Sequence, residues 1–286
     1  MIVKTTIPSA RSALAKTGTP RVLVPTMGGL HRGHRALIEK ARRVAGGSGT
    51  VIVSIFVNPT QFGPTEDFSK YPRPFDEDLA LCKAAGANLI FAPEPGRMYL
   101  PDFSVFVLEE SLSRALCGLS RPGHFRGVCT VVAKLFNILQ PDCAIFGEKD
   151  WQQLAILRKM VSDLNFPVKI LAHPTVRESD GLALSSRNVY LSAEEREAAP
   201  AIFAILKNVS ALSLMPRQLA SKAREQLQRL PGARLDYLEV VDAESLQPAK
   251  DRKRAGRLAT AVFFGKTRLI DNVPVPKLSL TKKTKS

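Results

Sequence analysis

No apolar run in this chain approaches the roughly 20 residues that a helix needs to cross a bilayer; the longest candidates are about eight or nine residues, such as "TVIVSIFVN". The opening "MIVKTTIPSARSALAKTG" also lacks the apolar core of a secretory leader. A soluble, cytoplasmic protein is expected, with no membrane partner. Cysteine is sparse as well. Cys82, Cys117, Cys129 and Cys143 are scattered with no C-x-x-C pair, in segments that read as core strands or helices. That argues against a disulfide framework or a zinc site and for buried free thiols. No G-x-x-x-x-G-K-[ST] loop occurs, no G-x-G-x-x-G opens a helix, and H-E-x-x-H is absent. The usual phosphate cradles and the usual zinc-hydrolase helix are excluded with them. Acidic residues are few against basic ones, 26 to 41, and the formal charge of +15 calls for a polyanionic partner, either nucleic acid or a phosphate-rich small molecule. Part of that excess lies in the tail "KLSLTKKTKS" and in "KDRKRAGR" at 250–257, which read as a solvated terminus and a loop or strand edge. Nucleic acid is therefore not the expected partner.

What is present is a chain of 286 residues, 45% of them hydrophobic, enough for one large domain or two moderate ones. From residue 21 to about 175, strand and helix patterns alternate: "RVLVPT", a helix over 35–44, "TVIVSIFV", a helix over 75–85 and "NLIFAP". The series continues with "FSVFVLE", a helix over 128–139, "CAIFGEK", a helix over 152–164 and "VKILAHPTV". Such alternation predicts βαβ units, a mostly parallel sheet and helices on both faces. After "DGLALSSRN" the pattern changes to two charged amphipathic helices within 192–230, then short strands in "LDYLEVVD" and "RLATAVFFGKTRLIDNV". The expected division is an α/β domain over 1–175 and a smaller α+β domain over 176–286. No internal repeat is seen.

The chemistry concentrates where strands end. "VLVPTMGGLHRGHRALIEKAR" is a strand-to-helix joint carrying Met27, Gly28, Gly29, Leu30, His31, Arg32, Gly33 and His34. At the carboxyl end of a parallel strand, a helix N-terminus offers unpaired N–H groups to an anion. Gly33 lets backbone approach a ligand, and the two imidazoles are donors for phosphate oxygens. Together the histidines supply only two of the ligands a zinc site needs. The next strand ends in "FVNPTQFG", whose amides Asn58 and Gln61 suit a small polar organic acid. A third joint, "FGEKDWQQ", holds Gly147, Glu148, Lys149 and Asp150 before a helix with Gln152 and Gln153; Lys149 is a point charge suited to a triphosphate. "DGLALSSRN" carries Leu184, Ser185, Ser186 and Arg187, a candidate phosphate clamp. The acidic run Asp76, Glu77 and Asp78 either caps the helix it opens or faces a magnesium ion.

Through "VPTMGGLHRGH", "SIFVNPTQFGPTEDFSKYPR", "RPGHFRGVCTVVAKLFNILQPD", "FGEKDWQQLAIL", "DGLALSSRNVYLS" and "RLIDN", in that order, the chain resembles the pantoate–β-alanine ligase family. That family belongs to the nucleotidyltransferases that share an H-x-G-H signature with class I aminoacyl-tRNA synthetases. The resemblance implies a Rossmann-like fold with a smaller C-terminal lid domain, and ATP-dependent amide formation through a pantoyl adenylate. It puts Met27 to His34, Gly147 to Asp150, Val176 and Leu184 to Arg187 around ATP, with His31, His34 and Lys149 catalytic and His34 the favoured acid. It puts Gln61, Gln153 and Asn58 on pantoate, Gln61 also on β-alanine, and a magnesium ion beside Glu77 or Asp78. A homodimer is implied too. Arg32 stands where family members often carry an acid, Thr60 where methionine is frequent, and "GGSG" at 46–49 resembles a short insertion. Two rivals are a nucleotidyltransferase acting on a phosphorylated substrate, against which the paired amides argue, and a tRNA-binding protein, for which no anticodon module or stacking platform is evident.

Overall fold

The computed structural model describes residues 1–64 and 66–278. Most of the basic tail, from 279 onward, lies outside the described residues, and so does the expectation that it is a solvated terminus. The first part of the chain runs β1 (Ile2–Lys4), α1 (Ile7–Leu14), β2 (Arg21–Thr26), α2 (Arg32–Ala45), β3 (Thr50–Ile55), α3 (Phe75–Ala84) and β4 (Leu89–Phe91). Two single turns, α4 (Pro95–Met98) and α5 (Cys117–Ser120), precede α6 (His124–Leu139), β5 (Cys143–Gly147), α7 (Trp151–Asp163) and β6 (Lys169–His173).

The six strands form one parallel sheet in the order β1-β4-β3-β2-β5-β6. Val22 pairs with Val51 on one side of β2 and with Cys143 on the other. The chain leaves β2 toward β3 and later returns to the opposite side with β5, so the order reverses at β2. Crevices outside the carboxyl ends of strands at such a reversal are where open α/β sheets bind ligands. Alternation sorts the side chains: Val22, Val24, Val51, Val53 and Ile90 pack with Ile38 and Ala41 of α2 and Cys82 of α3, while the buried Leu23, Ile52, Leu89 and Phe91 point the other way. Helix α6, most of whose residues are buried, packs against α1 and α7. It starts at Gly123 and stops at Gln140, both in the left-handed region (φ 80° and 46°).

The chain divides into two compact units. The first comprises Met1–Ser113, Arg121–Val176 and Leu184–Ser186; the second takes Arg114–Ser120, Arg177–Ala183 and the chain from Arg187. Within the second, α8 (Ala193–Ala198), α9 (Ala201–Ser210) and α10 (Pro216–Leu227) accompany an antiparallel sheet of β7 (Ala233–Asp242), β8 (Gly256–Phe264) and β9 (Thr267–Val275). Leu206, Leu219, Leu238, Leu258 and Phe264 are its core.

Three details differ from the sequence pattern. "FSVFVLE" forms no strand: the Val107 N–H is taken by Thr130 Oγ1 at 3.0 Å, and Val105 and Leu108 stay 75% and 58% exposed instead of meeting a sheet. The strand Ile2–Lys4, at the sheet's edge, is too short to show a period. The first of the two expected amphipathic helices is divided at Pro200, which has no N–H to continue the ladder from α8 into α9.

Candidate active site

The joint after β2 is built by its own side chains. Gly28 and Gly29 take left-handed φ values of 82° and 61°, which side-chain-bearing residues rarely adopt. The loop they form is then tied down from α3: Asp78 Oδ2 accepts from Gly29 N at 3.0 Å and Oδ1 from Leu30 N at 2.7 Å. Asp78 is 2% exposed, and burial pushes its carboxyl up despite these two bonds. The acidic run thus has a use that neither expectation offered. Asp78 commits both oxygens to backbone amides 48 and 49 residues away, and Glu77 is exposed. Among the described residues no group of three or more His, Cys, Asp or Glu is arranged to hold a metal ion.

His31 is the N-cap of α2. Its Nδ1 accepts from Gly33 N at 3.1 Å, and His34 Nδ1 accepts from His31 N at 3.3 Å. The rings lie 4.1 Å apart, tilted by 38°. A Cβ on Gly33 would sit 2.8 Å from the His31 Cε1 atom, so the glycine of H-x-G-H makes room for the first histidine's ring. The N–H groups of Gly29, Leu30, His31 and Gly33 are engaged inside the protein. What remains on each ring is Nε2–H. With Nδ1 an acceptor in both rings, the neutral imidazole carries its proton on Nε2. Burial, followed by the Lys149 cation, pushes His31 down to about 4. Burial, His31 and Lys149, in that order, push His34 down to about 3. Both are neutral donors at pH 7.

Lys149 lies in the single 3-10 turn Glu148–Asp150 after β5, between Gly147 and α7. In the first turn of α7 two adjacent glutamines separate in role. Gln152 is buried and donates to the Leu112 carbonyl at 2.8 Å, whereas the half-buried Gln153 amide has no hydrogen-bond partner among the described residues. From the next segment, Leu184 N donates to the Val176 carbonyl at 3.0 Å, which holds Leu184 and Ser186 against the glycine loop. Their Cβ atoms lie 3.6 Å from where a Cβ would stand on Gly33 and Gly29, respectively. Ser186 Oγ is 3.1 Å from the Tyr71 hydroxyl. Ser185 shares this segment, and Arg187 begins the last stretch of the second unit. Arg32 is exposed.

Gln61 is held at both ends. Its main-chain oxygen accepts from His124 Nδ1 at 2.9 Å and from Arg121 Nη2 at 3.4 Å, its Oε1 accepts from Asn58 Nδ2 at 3.0 Å, and its Nε2 meets Met27 Sδ at 3.1 Å. Arg121 is fixed by a two-pronged ion pair with Glu66, 2.6 and 2.7 Å, and by His124 Nε2 at 2.9 Å. Burial, then the neighbouring Arg121 cation, pushes His124 down to about 4. Because its Nδ1 meets the Gln61 carbonyl, the neutral ring carries its proton there. Arg121, His124, Glu66, Tyr71 and Tyr99 are site or support residues that the sequence reading missed, and Asp78, which it did name, supports the loop. The signal for Arg121 and His124 was present in "RPGHFRGV", a run with no obvious secondary-structure purpose.

A family model described as pantoate-beta-alanine ligase matches residues 2–274. The pantothenate synthetase of Akkermansia muciniphila is 51% identical over 256 residues, 88% of this chain and 91% of the relative; that of Thermotoga neapolitana is 51% identical over 253 residues, 87% and 89%. The pantothenate synthetase crystal structure from Thermus thermophilus superposes with a TM-score of 0.91 at 46% identity, covering 96% of this chain and all of that one. A Francisella tularensis pantoate-β-alanine ligase, solved in complex with beta-gamma ATP and β-alanine, gives 0.80 at 34% identity over 96% and 97%. A loop of imidazole donors beside a strand-end lysine, and a match that spans nearly the full length, lead to one conclusion: this chain belongs to the pantoate-β-alanine ligase family.

Proposed function

We propose that the chain joins pantoate to β-alanine in two steps on one enzyme, with MgATP as the activating substrate. A pantoate carboxylate oxygen attacks the α-phosphorus, the bond to the bridging oxygen breaks, and pyrophosphate leaves. The β-alanine amine then attacks the acyl carbon of the adenylate, loses a proton, and AMP departs with the former carboxylate oxygen. No covalent enzyme intermediate is needed, because AMP is already a good leaving group. The observation that carries this reading is the pair His31 and His34, each with Nδ1 committed to the backbone and Nε2–H left to donate, beside Lys149. Negative charge grows on the α-phosphate and the departing pyrophosphate, and preorganised donors and cations act most strongly there.

In this reading the histidines donate to phosphate oxygens as neutral imidazoles, Lys149 neutralises charge, Gly28, Gly29, Gly147, Val176 and Leu184 to Ser186 shape the nucleotide's surroundings, and Gln61 and Gln153 hold pantoate. Gln61 also borders the β-alanine subsite. His34 is a hydrogen-bond donor rather than the acid that the family resemblance implies, since a group with a pKa near 3 is rarely protonated at neutral pH. Magnesium enters on the triphosphate; Asp78 is tied to the loop and Glu77 is exposed.

We also assign a homodimer, supported by an extended apolar strip, Val105, Phe106 and Leu108, that is 39–75% exposed, and a cytoplasmic setting, supported by four free thiols. Sedimentation at micromolar concentration tests the first. The catalytic reading is tested by ATP–pyrophosphate exchange: exchange with pantoate and no β-alanine supports it, and exchange that strictly requires β-alanine refutes the order of steps.

A further inference from the structure

The stretch between two nucleotide-lining segments folds back on itself. Leu184 N donates to the Val176 carbonyl at 3.0 Å and Glu178 N to the Leu182 carbonyl at 2.8 Å, with Arg177 and Ala183 bridged between them. Arg177–Ala183 belongs to the second unit, while Val176 before it and Leu184–Ser186 after it belong to the first. Whatever holds this narrow antiparallel loop therefore also sets the direction in which the residues at its two ends emerge.

Three attachments within the second unit hold it. Arg177 forms a two-pronged ion pair with Asp271 of β9, Nη1 to Oδ2 at 2.6 Å and Nη2 to Oδ1 at 2.8 Å. Nη1 also donates to the Gly181 carbonyl at 3.2 Å, near the loop's tip, so one guanidinium ties the root of the loop, its turn and β9 together. The same guanidinium lies 3.5 Å from the centre of the Phe203 ring of α9, and a Cβ on Gly181 would stand 3.1 Å from that ring's Cδ1. The other two attachments are Asp180 with Arg196 at 2.6 Å and Asn188 Nδ2 donating to the Ala183 carbonyl at 3.1 Å. Asp180 and Arg196 are both 39% exposed, and such a pair holds little in water. Asp271 is buried, and its fork on Arg177 fixes angle as well as distance.

A buried ion pair is poor evidence for stability, because apolar residues of similar volume often hold a fold as well. What it adds here is a fixed geometry at the residue next to Val176. We propose that Arg177 and Asp271 are positioning residues for the nucleotide half of the reaction: their pair holds the loop whose ends present Val176 and Leu184 to Ser186 to ATP. The proposal rests on the reading that these end residues surround the nucleotide, and it requires neither charged side chain to touch a substrate.

The test separates positioning from stability. Arg177→Met alone leaves a buried carboxylate without its cation and lowers the melting temperature; adding Asp271→Leu removes the stranded charge and recovers most of that loss. The double variant is nonetheless expected to keep an ATP KM at least about tenfold above wild type with pantoate KM unchanged, the scale of a misplaced substrate-orienting segment. A smaller rise, or a parallel rise in pantoate KM, overturns the proposal and leaves the pair a structural one. Should the double variant not fold, Arg177→Lys serves instead: an ammonium keeps the charge but lacks the planar fork that spans both Asp271 oxygens and the Gly181 carbonyl, so ATP KM is expected to rise at least about fivefold at unchanged pantoate KM, and a smaller rise overturns the proposal. Hydrogen exchange in the wild-type chain separates the two levels. MgATP is expected to slow exchange in peptides spanning 184–186. If it does not, the nucleotide assignment of this segment fails and the proposal with it; if it does, while the variants keep the wild-type ATP KM, only the positioning role fails.

Discussion

His34 Nδ1 accepts the main-chain N–H of His31, while His31 Nδ1 reaches forward to Gly33 N, so the two rings cap one helix reciprocally at a centroid separation of 4.1 Å. The usual capping box uses a hydroxyl and a carboxylate for these two bonds. Here imidazoles replace both, and the start of the helix offers Nε2–H donors without an anionic cap that would repel a phosphate.

Replacing His34 or Lys149 by alanine is therefore expected to slow adenylate formation by at least about a hundredfold, the scale for losing one preorganised transition-state donor. Pantoyl adenylate supplied directly restores much of the rate, because the second half-reaction builds less charge at the phosphates. Variants that remain equally slow with supplied adenylate would assign these residues to the amide-forming step or to folding.

The same histidines give the protein a signature in acid. His31, His34 and His124 titrate near 4, 3 and 4 in the folded chain against about 6.5 when unfolded. Between those limits the unfolded state binds more protons, so stability is fully present above pH 6.5 and falls as the pH drops toward 4, by up to about 1.4 kcal/mol per pH unit for each histidine. At Glu66 burial raises the carboxyl, but the hydrogen bond and charge of Arg121 outweigh it and leave the group lowered, so its contribution is lost only below the ordinary carboxylate range. Urea unfolding at pH 7.5, 6 and 5 separates the two groups: a midpoint unchanged from pH 7.5 to pH 5 would show that the histidines are not buried as neutral rings.

Gly33→Ala tests why the signature needs its glycine. The new methyl would stand 2.8 Å from His31 Cε1 and 2.9 Å from Nδ1, forcing the ring off its cap while alanine itself favours the helix by roughly 0.5–1 kcal/mol over glycine. Adenylation should fall by at least about tenfold with little loss of melting temperature, the cost of one misaimed donor. Unchanged activity would show that the ring's position over Gly33 has no bearing on catalysis.

Much of this was legible from the chain, and the limits have physical causes. The strands Arg21–Thr26 and Thr50–Ile55 and the helix between them declare themselves through composition and period, since each buries a face against a neighbour close in sequence. "FSVFVLE" shows a similar β-prone pattern yet forms no strand, because local pattern carries no information on whether an edge is available to pair with. At the site, residue types were readable at strand ends but saturation was not. Asn58 resembles a ligand-binding amide until four partners, two of them 41 and 69 residues away, are found to consume it. Asp78 resembles a metal ligand or a helix cap until both oxygens are traced to Gly29 and Leu30. Such long-range commitments are what a strand-end motif cannot reveal.

The adjacent glutamines of α7 allow the acid-binding half of the site to be tested against an internal control. Gln152 is 5% exposed and pinned to the Leu112 carbonyl, so Gln152→Ala strands a buried acceptor and is expected to lower stability by about 1–3 kcal/mol. The Gln153 side chain, with no hydrogen-bond partner among the described residues, has nothing comparable to lose within the protein. Gln153→Ala should therefore leave the melting temperature nearly unchanged while raising pantoate KM by about five- to a hundredfold, the equivalent of roughly 1–3 kcal/mol for unmade substrate hydrogen bonds, with ATP affinity as the reference. A parallel loss for both substrates would move Gln153 to the nucleotide's half of the site. No loss for either would leave it a helix-surface glutamine, and the pantoate assignment would then rest on Gln61 alone.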